Sequence, residues 1–141
     1  MRLAAACTLV AALALPAAVG AQSFTLYPGS TFDRAASDAA MKASGGAMRV
    51  GIYVTGDPFE KVVAFYKPRY KETACGNAPA LANGQRIQWA CFVLDGADHL
   101  WTSKSWMKVQ RPYVGEARLQ GGPAQFKDVR DATVIETVEK K

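Results

Sequence analysis

Residues 49–70 read RVGIYVTGDPFEKVVAFYKPRY, and the fold follows from how this stretch divides. Over Arg49–Thr55, Val50, Ile52 and Val54 alternate with Arg49, Gly51, Tyr53 and Thr55. That period of two marks a strand with one aliphatic face and one mixed face. Gly56-Asp57-Pro58 stops it. Asp57 suits an N-cap, Pro58 the first helical position, and Glu60 sits three residues after the cap, the pattern of a capping box. Phe59, Val62, Val63 and Tyr66 then recur at helical spacing, with Tyr70 continuing the stripe beyond the helix. Pro68 cannot continue the hydrogen-bond ladder, so the helix is predicted to end near Tyr66 or Lys67.

Working outward, Met1–Ala21 has the form of a secretory leader. Arg2 is its basic start, Leu3–Leu15 its apolar run, Pro16 the breaker, and Val19-Gly20-Ala21 the small residues before a cut at Gln22. The run is short for a membrane span. Of the 141 residues, 120 would remain after the cut, enough for one core. Loss of Arg2 from 17 basic residues leaves 16 against 12 acids, a net charge of +4. The mild, dispersed basicity suits an anionic partner such as an acidic protein, a phospholipid surface or an anionic polysaccharide. Nucleic acid is excluded as a partner of an exported chain.

Two cysteines remain after the leader is removed, Cys75 and Cys91, and in an oxidising compartment they are expected to form a disulfide. They form no Cys-x-x-Cys, and His99 is the single histidine, so no metal site and no cofactor is expected.

The rest of the chain reads as strands and punctuation. Residues 22–46 form an N-terminal arm, in which Asp33–Ala43 is either a short helix of small side chains or poorly ordered, and Gly45-Gly46 is a hinge. Residues 47–141 form the domain. Gln85–Leu94 is a second strand, with Ile87, Trp89, Cys91 and Val93 expected on the core face. Asp95-Gly96-Ala97-Asp98 turns into a third strand over His99–Gln110, or two shorter ones split around Thr102–Lys104. Tyr113–Gln125 reads as loop, Phe126–Val138 as the last strand and Glu139-Lys140-Lys141 as a solvated tail. The expected fold is a two-layer α+β domain of order β-α-β-β-β, one main helix on a mostly antiparallel sheet of about four strands.

Catalytic patterns fail on inspection. Ser105-Trp106-Met107-Lys108 matches Ser-x-x-Lys, but on a strand residues three apart point to opposite faces. Gly-x-Gly-x-x-Gly and phosphate-loop motifs are absent from the sequence. An unrecognised hydrolase would have to use Asp95, Asp98 and His99 in their shared loop. The preferred binding patch is the basic and aromatic segment Lys104–Tyr113, with Lys104, Trp106, Lys108, Arg111 and Tyr113 as its residues.

Tyr27-Pro28-Gly29, followed by Tyr53-x-Thr-x-Asp57-Pro58-x-x-Lys61-Val62-Val63-x-Phe65-Tyr66-Lys67, resembles a pattern in small uncharacterised secreted proteins of Gram-negative bacteria. The resemblance spans about the first half of the mature chain and implies a periplasmic location. It implies no activity and no site residues. The expectation is a non-enzymatic periplasmic or secreted binding or accessory module contacting a protein or an anionic envelope component. The alternatives are a small-molecule carrier with a pocket between helix and sheet, and the hydrolase.

Overall fold

The strand read over Arg49–Thr55 is present as β2 (Met48–Thr55), and it lies inside a sheet wider than expected. The computed structural model describes residues 23–118, 121–122 and 124–141; the leader expected over Met1–Ala21 lies outside them. The chain runs β1 (Thr31–Phe32), α1 (Arg34–Ala43), β2, α2 (Phe59–Tyr66), β3 (Lys71–Thr73), β4 (Gln88–Val93), β5 (Ser105–Arg111), β6 (Tyr113–Arg118), β7 (Gln125–Arg130) and β8 (Thr133–Lys140). Six strands form one sheet in the order β1-β2-β8-β5-β4-β3, every pair antiparallel, and β6 and β7 form a separate two-stranded ribbon. The expected one-helix, four-strand, two-layer fold is therefore incorrect: the described chain is mostly sheet, with a helix on each face.

Alternation on the strands sorts the core into two layers. Under α2, Val62, Val63 and Tyr66 meet Ala90 and Phe92 of β4, Met107 and Val109 of β5 and Ile135 of β8, with Tyr27, Tyr70, Phe24 and Tyr53 packed in. Under α1, Ala36, Ala40 and Met41 meet Val50, Ile52 and Val54 of β2 and Val134 and Val138 of β8. The aliphatic face of β2 thus belongs to α1, and α2 takes the Tyr53 face. Aromatic packing explains the choice: Tyr66 lies within 6.0–6.2 Å of the rings of Phe24, Tyr70 and Phe92, and Phe24 within 5.5 Å of Tyr53. On β4 both faces are buried, so Phe92 joins the α2 layer although Trp89, Cys91 and Val93 make the more apolar row.

Asp33–Ala43 resolves to a helix because both its ends are closed. Asp33 accepts from the Ala36 N–H at 3.0 Å. At the other end Gly45 N–H donates to Lys42 O and Gly46 N–H to Met41 O, a Schellman motif that needs the positive φ of Gly45. The small side chains then let α1 approach β2 closely. Ser37, fully buried, donates to Asp33 O and accepts the Ile52 N–H at 2.9 Å, while Asp33 N–H donates to Ile52 O at 2.8 Å. Since β1 pairs only Thr31 and Phe32 with β2, the first turn of α1 takes over the strand edge where β1 stops.

Helix α2 ends at Tyr66 as expected, but its start differs. Pro58 occupies the cap position, extended at ψ 148°, with no side-chain cap bond. The Asp57 carboxylate instead accepts the Tyr27 hydroxyl at 2.6 Å and pairs with Lys61 at 3.0 Å. These charge-assisted partners outcompete the helix N–H groups. Two other expectations are corrected downstream. The Tyr113–Gln125 loop contains β6, and the single last strand is two, broken at Asp131-Ala132, with β8 running through Lys140.

Cys75 and Cys91 are bonded, their Cα atoms 5.5 Å apart, which pins the loop after β3 to β4. With 16 residues of separation, loss of the bridge through Cys75→Ser with Cys91→Ser should cost about 3 kcal/mol in urea unfolding. An unchanged midpoint would show that the loop is held by its other contacts. A second test concerns Tyr66, whose buried hydroxyl has no hydrogen-bond partner among the described residues. Burial pushes this phenol far above its ordinary pKa. Tyr66→Phe should therefore keep full stability or gain up to about 1 kcal/mol, where a satisfied hydroxyl would show a loss of that size.

Candidate functional site

Strand β5 divides the residues expected to form one patch. Trp106 and Lys108 point to the α1 side of the sheet and Arg111 to the α2 side, because the side chains alternate. Arg111 is committed to the framework: its guanidinium donates to Asp57 O at 3.1 Å, Thr133 Oγ1 at 3.0 Å and the Asp131 carboxylate at 2.7 Å. Tyr113 is buried, with the Arg130 guanidinium 3.8 Å from its ring centre. Lys104 is exposed just before β5, and its carbonyl accepts the Lys140 N–H at 2.8 Å. The structure thus brings Lys104, Trp106 and Lys108 to the α1 side, where the buried Tyr113 belongs to the layer that Trp106 packs against, and separates them from Arg111.

Three further residues complete this surface. Lys140 Nζ lies 5.2 Å from the Trp106 ring centre and 3.4 Å from Trp101 O. Lys108 Nζ lies 5.8 Å from the ring of Trp89 and 2.9 Å from Glu136. Trp89 and Trp106 thus each carry a lysine ammonium over the ring on the α1 side of the sheet, and Lys140 also reaches the Trp101 carbonyl in the loop before β5. Trp101 is 70% exposed, and His99 stacks on it at 4.4 Å with a 12° angle between the planes. Lys140 was missed, because a strand ending at Val138 leaves it in a tail. The one available signal was the alternation Val134, Glu136, Val138, which continues in phase to Lys140.

The loop between β4 and β5 is organised by Asp95. Its carboxylate accepts the N–H groups of Lys104 at 2.6 Å, Ser105 at 3.3 Å and Ala97 at 3.3 Å and the Ser103 hydroxyl at 2.8 Å. Desolvation raises its pKa, but these bonds outweigh it and hold the group below the ordinary carboxylate value. Asp98 is paired with Lys71 at 2.6 Å, which lowers its pKa as well. Asp95 and Asp98 are thus each engaged elsewhere, and His99 faces Trp101.

A separate cleft of about 680 Å³ lies between α1, the sheet and the β6–β7 ribbon. Ala36, Ala39 and Ala40 form one wall, Glu116, Lys127 and Asp128 the other, and Lys108 and Glu136 part of the floor. Asp128 has φ +52°, and opposite it a side chain on Gly115 would meet Asp128 Oδ2 at 2.6 Å and its Cβ at 3.0 Å, so a larger residue there would have to push Asp128 aside. His99 lines neither this cleft nor the smaller hollows near Gly51, Val54 and Phe126, and no residue of α2 lines any of them. The space between α2 and the sheet is filled: Val62, Tyr66, Phe92, Met107, Val109 and Ile135 are fully buried. Among the described residues, no group of three His, Cys, Asp or Glu side chains is placed to hold a metal ion, and no helix is long and apolar enough to cross a membrane. No family model, no curated protein and no solved structure matches the chain.

The Asp95 network gives a pH signature. Its depressed pKa means stability that is present above the unfolded value of about 3.9 and lost as pH falls through the lower folded value. Asp95→Asn should cost about 1–2 kcal/mol at neutral pH through the lost charged acceptor, and the gap to the parent protein should narrow at an acid pH below the ordinary carboxylate value. Urea unfolding at both pH values checks this; a gap that persists in acid would place the effect elsewhere than in the carboxylate charge.

Proposed function

We propose that the chain is a non-enzymatic binding or accessory module of the bacterial envelope that engages an anionic component through the α1-side sheet face. The observation that carries this reading is the pair Trp106 and Trp89, with Lys140 and Lys108 over their rings, on a face that α1 covers only over β2 and β8, beside the exposed Trp101. Tryptophan supplies contact area at little entropy cost, and lysine supplies long-range attraction to anions. Export by the 1–21 leader into the periplasm fits the disulfide, which needs an oxidising compartment. The resemblance of the Tyr27–Lys67 region to small secreted proteins of Gram-negative bacteria supports the same location.

Retention on envelopes isolated from Gram-negative cells tests the reading. The mature protein should sediment with the envelope fraction, and Trp106→Ala with Lys108→Ala should lower retention about tenfold or more, as loss of an aromatic anchor and a charge implies. Lys127→Ala on the ribbon should leave retention unchanged. Equal retention of the double variant, with its folded circular-dichroism signal intact, would overturn the reading.

A further inference from the structure

Resting on that reading, we infer that the anionic component is a phospholipid surface, and that the chain docks on it through the corner formed by Trp101, Lys104, Trp106, Lys140 and Lys141. The corner is built where the start of β5 meets the end of β8. Lys140 N–H donates to Lys104 O at 2.8 Å, and Lys141 N–H to Ala47 O at 3.1 Å. These two bonds fix three lysines at one end of the sheet, and none of the three has a salt-bridge partner among the described residues.

The acids at the same end are already engaged. Glu139 pairs with Arg49 at 2.9 Å and Asp98 with Lys71 at 2.6 Å. Asp95 is turned onto the N–H groups of Lys104, Ser105 and Ala97 and the Ser103 hydroxyl. The corner therefore presents positive charge outward, complementary to anionic headgroups.

Its apolar element has the matching form. Trp101 is the most exposed of the large apolar side chains among the described residues, and its ring stacks on His99 with the centroids 4.4 Å apart. The indole N–H groups of Trp101 and Trp106 donate to no acceptor among the described residues, whereas that of Trp89 donates to Gly76 O. A ring that enters the headgroup layer with a free N–H beside lysines is the arrangement that tryptophan adopts at membrane–water interfaces. A protein partner would instead call for an apolar anchor enclosed by a rim that excludes water, and Trp101 stands open.

Co-sedimentation of the mature protein with phosphatidylcholine vesicles, with and without about one-third phosphatidylglycerol, tests the assignment. Binding is expected to the anionic vesicles, with a blue shift of tryptophan emission, and to be lost at about 0.5 M salt. Trp101→Ala and Lys104→Glu should each weaken it about tenfold, and Lys127→Glu, an equal charge change on the ribbon, should not. Lys104 is exposed and its hydrogen bonds are made by backbone atoms, so Lys104→Glu leaves them in place. Since the new carboxylate stands near Asp95, an intact circular-dichroism signal and the same loss in Lys104→Gln check that the charge is what matters. No binding of the folded protein to anionic vesicles would overturn the lipid assignment. If envelope retention then survived lipid extraction, the binding reading would stand with a protein or polysaccharide as partner; if retention were absent too, both would fall.

Discussion

The carbonyl and carboxylate of Asp57 hold together the parts of the chain that no local pattern relates. The carbonyl accepts Thr133 Oγ1 at 2.6 Å and Arg111 Nη1 at 3.1 Å, and the carboxylate accepts Tyr27 Oη at 2.6 Å beside Lys61. One residue thus joins the end of β2, the entry to α2, the end of β5, the start of β8 and the N-terminal segment. Thr133 is fully buried and also takes the Arg111 guanidinium, so the polar atoms at this end of the sheet satisfy one another. Tyr27 answers the charge: burial and the neighbouring carboxylate raise its pKa, while the hydroxyl and Lys61 lower that of Asp57. The sheet order, with β8 between β2 and β5, brings these groups within reach, and their pairing in turn fixes where each strand begins and ends.

Asp57 is also where sequence reading and structure part most instructively. An Asp before a Pro at the head of an amphipathic helix has the local form of a cap, and the stripe Phe59, Val62, Val63, Tyr66 with its stop at Pro68 was legible to the residue. What no spacing rule holds is a tyrosine thirty positions upstream whose hydroxyl arrives at the same carboxylate. Arg111 is the same case. Beside Trp106 and Tyr113 in sequence it reads as a hot-spot cation. On an antiparallel strand the residue five positions from Trp106 faces the other way, and the donors of Arg111 are taken by the framework.

The elements that the sequence left open or missed were those with little apolar area. Alanines on α1 give weak amphipathic signal, and the helix rests on its two caps and on Ser37 reaching the edge of β2. The β6–β7 ribbon is exposed along most of both strands, so its sequence shows no alternation, and Gly115 and Gly121-Gly122 read as loop. Its register is set instead by Gly115 opposite Asp128 and by Arg130, which lies over Tyr113 and pairs with Asp128 at 3.2 Å. The disulfide was legible because only two cysteines remained to pair. The candidate surface was half legible: Lys104, Trp106 and Lys108 share a neighbourhood, but Lys140 joins them only through the pairing of β8 with β5.

The two faces of the sheet solve the same problem with different means, and the surface follows from the difference. On the α2 side, phenylalanine and tyrosine are large enough for one short helix and the N-terminal segment to cover four strands. On the other side a helix of alanines covers β2 and β8, and β5 and part of β4 are left to other cover. There the ammonium groups of Lys140 and Lys108 lie 5.2 Å from the Trp106 ring centre and 5.8 Å from that of Trp89 and cover part of this apolar face. Such exposed cation–π contacts are worth about 0.5–1 kcal/mol, so this cover is the first to yield to a competing anion. Displacing a lysine head toward an anion uncovers the ring beneath it, so electrostatic attraction and aromatic contact on this face are coupled through the same two side chains.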